Sequence, residues 1–245
     1  MKYSMTAAAM MLAAAGFHGQ AEPLGWTSSA ELGAITTTGN TEGTSVTGRL
    51  NSLQRLERFD NEYLLSAFFK EDKKRLADGS SERERTAERF SASGKSAFKL
   101  ETEHDTLFVL GRHTDDKFGA YRKYSTLAVG YGTRLLDLPD HSLNVEIGPG
   151  YSRGKTSLGE TESGLLARAG AIYRWQISES AEFRQDLTVE YGDDNTRTSA
   201  ETSLTARING RMQMKAAFTV QNDTDVPADK KRTDTQTSLT LVYSF

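Results

Sequence analysis

From Trp26 to the C-terminus, apolar and polar residues alternate with a period of two, over stretches of roughly ten residues or more. The clearest stretch sets Phe90, Ala92, Gly94, Ser96, Phe98 and Leu100 against Arg89, Ser91, Ser93, Lys95 and Lys99. One face suits hydrocarbon and the other suits water. The same pattern predicts strands over Trp26 to Thr38, Thr44 to Phe59, and Glu62 to Lys70, the last with Tyr63, Leu65, Ala67 and Phe69 on one face. Thr106 to Thr114 alternates less cleanly, because Phe108 and Leu110 interrupt the polar face that ends in Arg112. Further strands carry Leu127, Val129 and Tyr131, then Leu143, Val145 and Ile147, then Leu165, Ala167, Ala169, Ala171, Tyr173 and Trp175. Phe183, Leu187, Val189 and Tyr191 mark the ninth, Ala200, Leu204 and Ala206 the tenth, and Met212, Met214 and Phe218 the eleventh. The twelfth is the closing segment "TSLTLVYSF", residues 237 to 245.

Strands whose apolar face points outward need a nonpolar solvent. In lipid only helices and closed barrels satisfy every backbone group, and no segment is apolar enough for a spanning helix. The fold class expected is therefore all-β, a transmembrane antiparallel up-and-down barrel of twelve strands, the even number usual for single-chain bacterial barrels. Short connections fall at Asp60 and Asn61, Glu101 to His104, Ser178 to Ser180, and Asn209 and Gly210; longer loops are expected at 71–88, 114–123, 153–162 and 222–234. A soluble sandwich or barrel would use shorter strands, and it would not gather aromatics at strand ends as Trp26, Phe59, Phe90, Tyr173, Trp175, Tyr191, Tyr243 and Phe245 are gathered.

The first residues add a compartment. "MKYSMTAAAMMLAAAGFHGQA" has the cationic start, the short apolar middle and the small terminal residues of a secretory leader, with cleavage expected after Ala21. The barrel then occupies residues 22–245. Losing Lys2 with the leader leaves 29 basic against 33 acidic side chains, a mildly acidic net charge of −4. The chain has no cysteine, so neither disulfides nor thiolate chemistry enter. These features point to the outer membrane of a Gram-negative cell, with outer-membrane lipid, lipopolysaccharide and the assembly machinery as partners. Leu241, Tyr243 and Phe245, facing lipid at the chain end, resemble the signature that this machinery recognises.

A family resemblance rests on particular residues. Trp26, Glu31, Leu32 and Gly33 followed by Thr38, Gly39, Asn40 and Thr41 resemble the opening of the YdiY-like salt-induced outer-membrane proteins, a domain of unknown function. "YRKYSTLAVGYG", with Arg122, Gly130 and Gly132, is similar to that family's central segment. The resemblance implies an outer-membrane barrel expressed under salt stress, and it carries over no catalytic residue.

Motifs of soluble chemistry are absent: there is no phosphate-cradling glycine loop, no zinc helix motif and no nucleophile elbow. Neither cofactor, metal nor nucleic acid is expected. His104 and His141 fall in terminal-side turns and read as solvated. The acidic groups Asp193 with Asp194, and Asp223 with Asp225 and Asp229, lack the ligand spacing of a calcium loop.

The candidate functional residues are those expected to line the lumen: Arg49, Lys95, Lys99, Arg112, Arg134, Glu146, Arg168, Arg174, Glu182, Asp186, Glu190 and Arg207, joined by Glu31, Glu201 and Lys215. Folding the eighth and ninth strands about Glu179 sets Arg168 opposite Glu190 and Arg174 diagonal to Asp186. These charges fit two readings equally, a narrow, weakly anion-preferring channel and a structural barrel closed by ion pairs. An alternative of another class is a lipid-acting hydrolase: a hairpin about Gly119 sets His113 opposite Ser125 on the lipid face, as base and nucleophile. The charged segment 71–89 is expected to be a solvated loop; a third reading gives it an adhesion or envelope-interaction role, with Lys73, Lys74, Arg75, Arg83 and Arg85 touching lipopolysaccharide phosphates.

Overall fold

A computed structural model describes residues 24–37, 43–75, 80–102 and 104–245, with Thr36, Thr37 and Arg75 as backbone only. The expected leader and the Gly39–Asn40 turn lie outside the described residues. Twelve strands follow in order: β1 (Gly25–Thr37), β2 (Gly43–Arg55), β3 (Phe59–Arg75), β4 (Ser81–Lys99), β5 (Thr106–Asp116) and β6 (Tyr121–Asp137). The second half comprises β7 (His141–Thr156), β8 (Thr161–Ser178), β9 (Ala181–Gly192), β10 (Thr196–Arg207), β11 (Met212–Asp223) and β12 (Thr233–Ser244). Each pairs antiparallel with its sequence neighbours, and β1 pairs with β12 to close the barrel.

The parity of the strands decides what faces where. Outward residues of the apolar set are open, as with Leu165 at 75% and Ile147 at 64% exposure, whereas Phe108 at 2% and Ala128 at 1% are enclosed. Ala97, Phe108, Leu110 and Ala128 form an apolar cluster inside the β4–β6 wall. The middle of β5 is thus apolar on both faces, with Leu107 and Val109 outside and Phe108 and Leu110 within. Around the rim where β1 begins and β12 ends, rings meet: Trp26 of β1 with Tyr63 of β3, Phe59 of β3 with Phe98 of β4, and Tyr243 with Phe245 at the end of β12. Such pairs fit the two-faced demands of a membrane interface.

Several expected loops are strand instead. β4 runs 19 residues and β3 17, although about 9–11 suffice to cross the hydrocarbon. The segment 71–75 pairs with 81–85 as a ribbon beyond the barrel wall, past a register shift at Lys70/Glu71. β7 and β8 likewise continue through Thr156 and from Thr161. Beyond the membrane both faces of a strand meet water, so its residues no longer alternate in polarity. Among the described connections only Thr224–Arg232 is long. It also leaves the rim: Val226 packs against Ala120, Tyr121 and Tyr124, and Lys230 Nζ donates to the carbonyl of Phe118 at 3.1 Å. That strap joins the β11–β12 side to the β5–β6 side, which lie opposite each other in the strand order.

Two glycines allow backbones to approach. A β-carbon at Gly33 of β1 would stand 2.5 Å from the carbonyl oxygen of Leu239 on β12. One at Gly148 of β7 would press on the backbone of Val129 and Gly130. Main-chain bonds between Ser28 and Phe245, at 2.9 and 3.2 Å, finish the β1–β12 seam.

Candidate functional site in the barrel lumen

Inward side chains bridge strands that are not neighbours, so the lumen is crossed at several levels. Arg49 of β2 reaches Glu201 of β10 through two bonds of 2.8 and 3.2 Å, past three intervening strands. Lys215 of β11 joins the same carboxylate at 2.8 Å and lies 3.6 Å from Glu31 of β1. Beside this group lies a small open-sided space lined also by Thr47, Thr219, Gln236 and Ser238. Water reaches the group, since the Arg49 side chain keeps 32% of its exposure.

A second bridge occupies the opposite wall. Lys95 of β4 is paired with Glu146 of β7, and Arg168 of β8 meets the other oxygen of that carboxylate at 3.2 Å. The ring of Phe108 lies under both cations, 5.5 Å from Lys95 Nζ and 6.0 Å from the Arg168 guanidinium. The hairpin expectation about Glu179 matches the register here: Arg168 is opposite Glu190, and Asp186 lies diagonal to Arg174, two pairs along. The Arg168 ion pair, however, goes to Glu146 on the other neighbouring strand.

Arg112 differs from these. It makes no hydrogen bond or ion pair among the described residues; it is drawn to Glu190 and repelled by Arg168 and Arg197. Arg168 and Arg197 hold carboxylates of their own, Glu146 and Asp223, so Arg112 is the guanidinium left to Glu190. Arg174 also lacks a direct partner among the described residues, but it stands among Glu182, Asp186 and Glu62 with Arg184 beside it. Arg184 holds Asp186 at 2.8 and 2.9 Å. The positive surplus belongs to the level of Arg112, and acids dominate nearer the termini.

The remaining candidates sit toward the terminal rim. Lys99 pairs with Asp60 at 2.8 Å, Arg134 with Asp137 at 3.2 Å and with Asn144 at 3.3 Å, and Arg207 is exposed. His141 corrects the expectation of a solvated turn residue. It begins β7, bonds to the Tyr173 hydroxyl at 2.6 Å and stacks on Tyr173 and Trp175.

At the distal rim lies a cluster that sequence reasoning missed. Arg197 binds Asp223 at 2.7 and 3.2 Å and lies 3.6 Å over the ring of Tyr124. Tyr121 donates to Glu162 at 2.6 Å, and Arg89 meets Asp116 at 2.6 Å. A signal was available: Tyr124 shares parity with Thr126 and Ala128, and Arg197 shares it with Ser199 and Glu201.

On the outer surface, His113 and Ser125 are register partners, with Nδ1 and Oγ 2.8 Å apart. Among the described residues no other group bonds to that imidazole, so nothing orients it. The adjacent backbone amides belong to the β5–β6 and β6–β7 ladders, where they are not free to hold an oxyanion.

Comparison with known proteins places the barrel. Residues 30–245 match the family described as "Protein of unknown function, DUF481". The chain belongs to this family. The uncharacterized protein YdiY of Escherichia coli (strain K12) is 34% identical over 167 residues, covering 68% of this chain and 66% of that relative. Among solved structures, the COG4313 outer membrane channel from Pseudomonas putida F1 has a TM-score of 0.55 at 13% identity, over 92% of this chain and 97% of that one. The translocator domain of the autotransporter NalP from Neisseria meningitidis scores 0.53 at 14% identity, over 91% and 89%. The NanC porin scores 0.52 at 9% identity, over 89% and 98%. At these identities the shared property is the fold, that of outer-membrane barrels.

Proposed function

We propose that this DUF481 chain is exported by its leader to the outer membrane, termini toward the periplasm, and there forms a narrow channel that passes small inorganic ions with a weak preference for anions. Its inward charges are bridged, so the bore is small, yet water reaches them, so the interior is hydrated. The observation that carries the preference is Arg112, a cation without a direct partner among the described residues and beside two more guanidiniums. A fixed positive charge at a constriction lowers the barrier to anions and raises it to cations.

Reversal potentials of the refolded barrel in a planar bilayer under a salt gradient test this. Small conductance steps with modest anion preference are expected, and Arg112→Glu is expected to turn the preference toward cations. An absence of conductance steps would remove the channel reading and leave the bridged structural barrel. The family resemblance adds a role in the salt-stressed envelope, checked by the abundance of the barrel across a salt series.

A lipid-acting hydrolase is favoured by one observation, the His113–Ser125 hydrogen bond. It is the weaker reading because a nucleophile also needs an oriented base and oxyanion donors. Unchanged lipid turnover in Ser125→Ala would dispose of it.

A further inference from the structure

Outside the lumen, the distal rim of β6 and β7 carries an unneutralised group of cations. Lys123 and Lys155 are direct register partners, and Arg153 stands opposite Ser125 two pairs nearer the membrane. All three residues are exposed, and none makes a hydrogen bond or ion pair among the described residues. Asp115, on the other side of Lys123 in the β5–β6 register, is not ion-paired with it. Like charges directly opposite on a sheet destabilise it. A Lys123–Lys155 pair therefore calls for an anion to lie between or upon the two.

The position indicates which anion. Arg153 shares the outward parity of Tyr151, and Tyr151 with its partners Leu127 and Leu165 belongs to the open apolar face. At about 3.4 Å per residue, Arg153 lies about 7 Å and Lys155 about 14 Å along the strand beyond Tyr151. The cations thus begin where the hydrocarbon ends, at the depth of lipid headgroups. We infer that Lys123, Arg153 and Lys155 form a docking site for the phosphorylated headgroup of an outer-leaflet glycolipid. Arg153 meets the phosphate nearest the acyl chains, and the lysine pair holds anionic charge farther out. The inference rests on the outer-membrane orientation proposed above, not on conduction, so the two fail separately.

The test is lipid binding to the refolded full barrel in zwitterionic micelles, read by native mass spectrometry, with phosphorylated lipid A and with lipid A stripped of phosphate. The phosphorylated form is expected to remain bound and the stripped form to be lost. The triple variant K123Q/R153Q/K155Q is expected to bind about tenfold to hundredfold more weakly, since each basic residue near a lipid surface strengthens attraction by a comparable increment. The charge-preserving K123R/K155R is expected to bind as the parent does. Heat-resistant migration of each variant reports an intact barrel. Equal binding of the two lipid forms, or undiminished binding in the triple variant, would overturn the inference. Full displacement by millimolar inorganic phosphate would overturn it too, because the ligand would then be free phosphate rather than a lipid.

Discussion

Glu201 accepts cations from two strands, Arg49 at 2.8 Å and Lys215 at 2.8 Å, so its removal leaves two cations with only Glu31, 3.6 Å from Lys215, to offset them. Glu201→Ala is expected to cost about 2 kcal/mol in urea unfolding, the worth of charged hydrogen bonds discounted for water that reaches the group. Adding Arg49→Ala is expected to recover part of that loss, and a strictly additive double mutant would show that the bridge is uncoupled. Outside the membrane, Asp105 receives the Tyr131 hydroxyl at 2.6 Å, which holds its carboxyl below the ordinary carboxylate range. A folded value below the unfolded one gives stability that is present above the unfolded pKa near 3.8 and is lost as pH falls through the folded value. Asp105→Asn should therefore flatten the dependence of unfolding on pH below about 4, read by urea titration at several acidities. At this scale sequence parity located the inward charges but not their partners. Arg168 faces Glu190 by register, yet side-chain reach takes its ion pair to Glu146.

At the scale of elements, alternation marked every strand where one side is lipid and lost the ends where both sides are water. Glu71–Arg75 and Ser81–Arg85 look like a charged loop because no apolar face is demanded there, but a backbone ladder with Arg85–Glu71 and Lys74–Glu84 pairs keeps them extended. The Thr224–Arg232 strap was legible as a loop and illegible as a cap, because its docking depends on Val226 meeting rings from the far side of the barrel. Val226→Asp should release the strap, since a carboxylate against Tyr121 and Tyr124 loses the apolar contact and gains a desolvation cost. If the lumen conducts, the variant should show larger or noisier steps in a planar bilayer; faster proteolysis within 224–232 checks the release itself. The seam offers a second test. Gly33→Val puts a branched side chain where 2.5 Å separates a β-carbon from Leu239, and overpacking of this kind costs about 1–3 kcal/mol, measurable as a lower urea midpoint.

For the whole molecule, closure is the property on which the rest depends. An outward apolar face and an inward charged one are stable only when every edge is paired, and the last edge is the join of β1 to β12. Its recorded register is short, Ser29 to Leu32 against Ser244 to Leu241, where most neighbouring pairs run on for eleven residues or more. At the join the backbone of Phe245 bonds to Ser28, and its ring stacks beside Tyr243. Because the chain contains no cysteine, the join can be trapped cleanly. Ala30 and Tyr243 are direct partners across it, and opposed residues in a ladder stand at a separation a disulfide can span. Ala30→Cys with Tyr243→Cys, oxidised after refolding in vesicles, should give a covalently closed ring of strands. That ring should migrate faster than the reduced form even after boiling, because the unfolded chain remains a loop. Ala34→Cys in place of Ala30→Cys, four residues farther along β1, should not cross-link to position 243. Equal cross-linking by both pairs would mean that β1 and β12 slide past one another, and the fixed lumen on which the ion pairs of Glu31, Arg49 and Glu201 depend would be lost with the register.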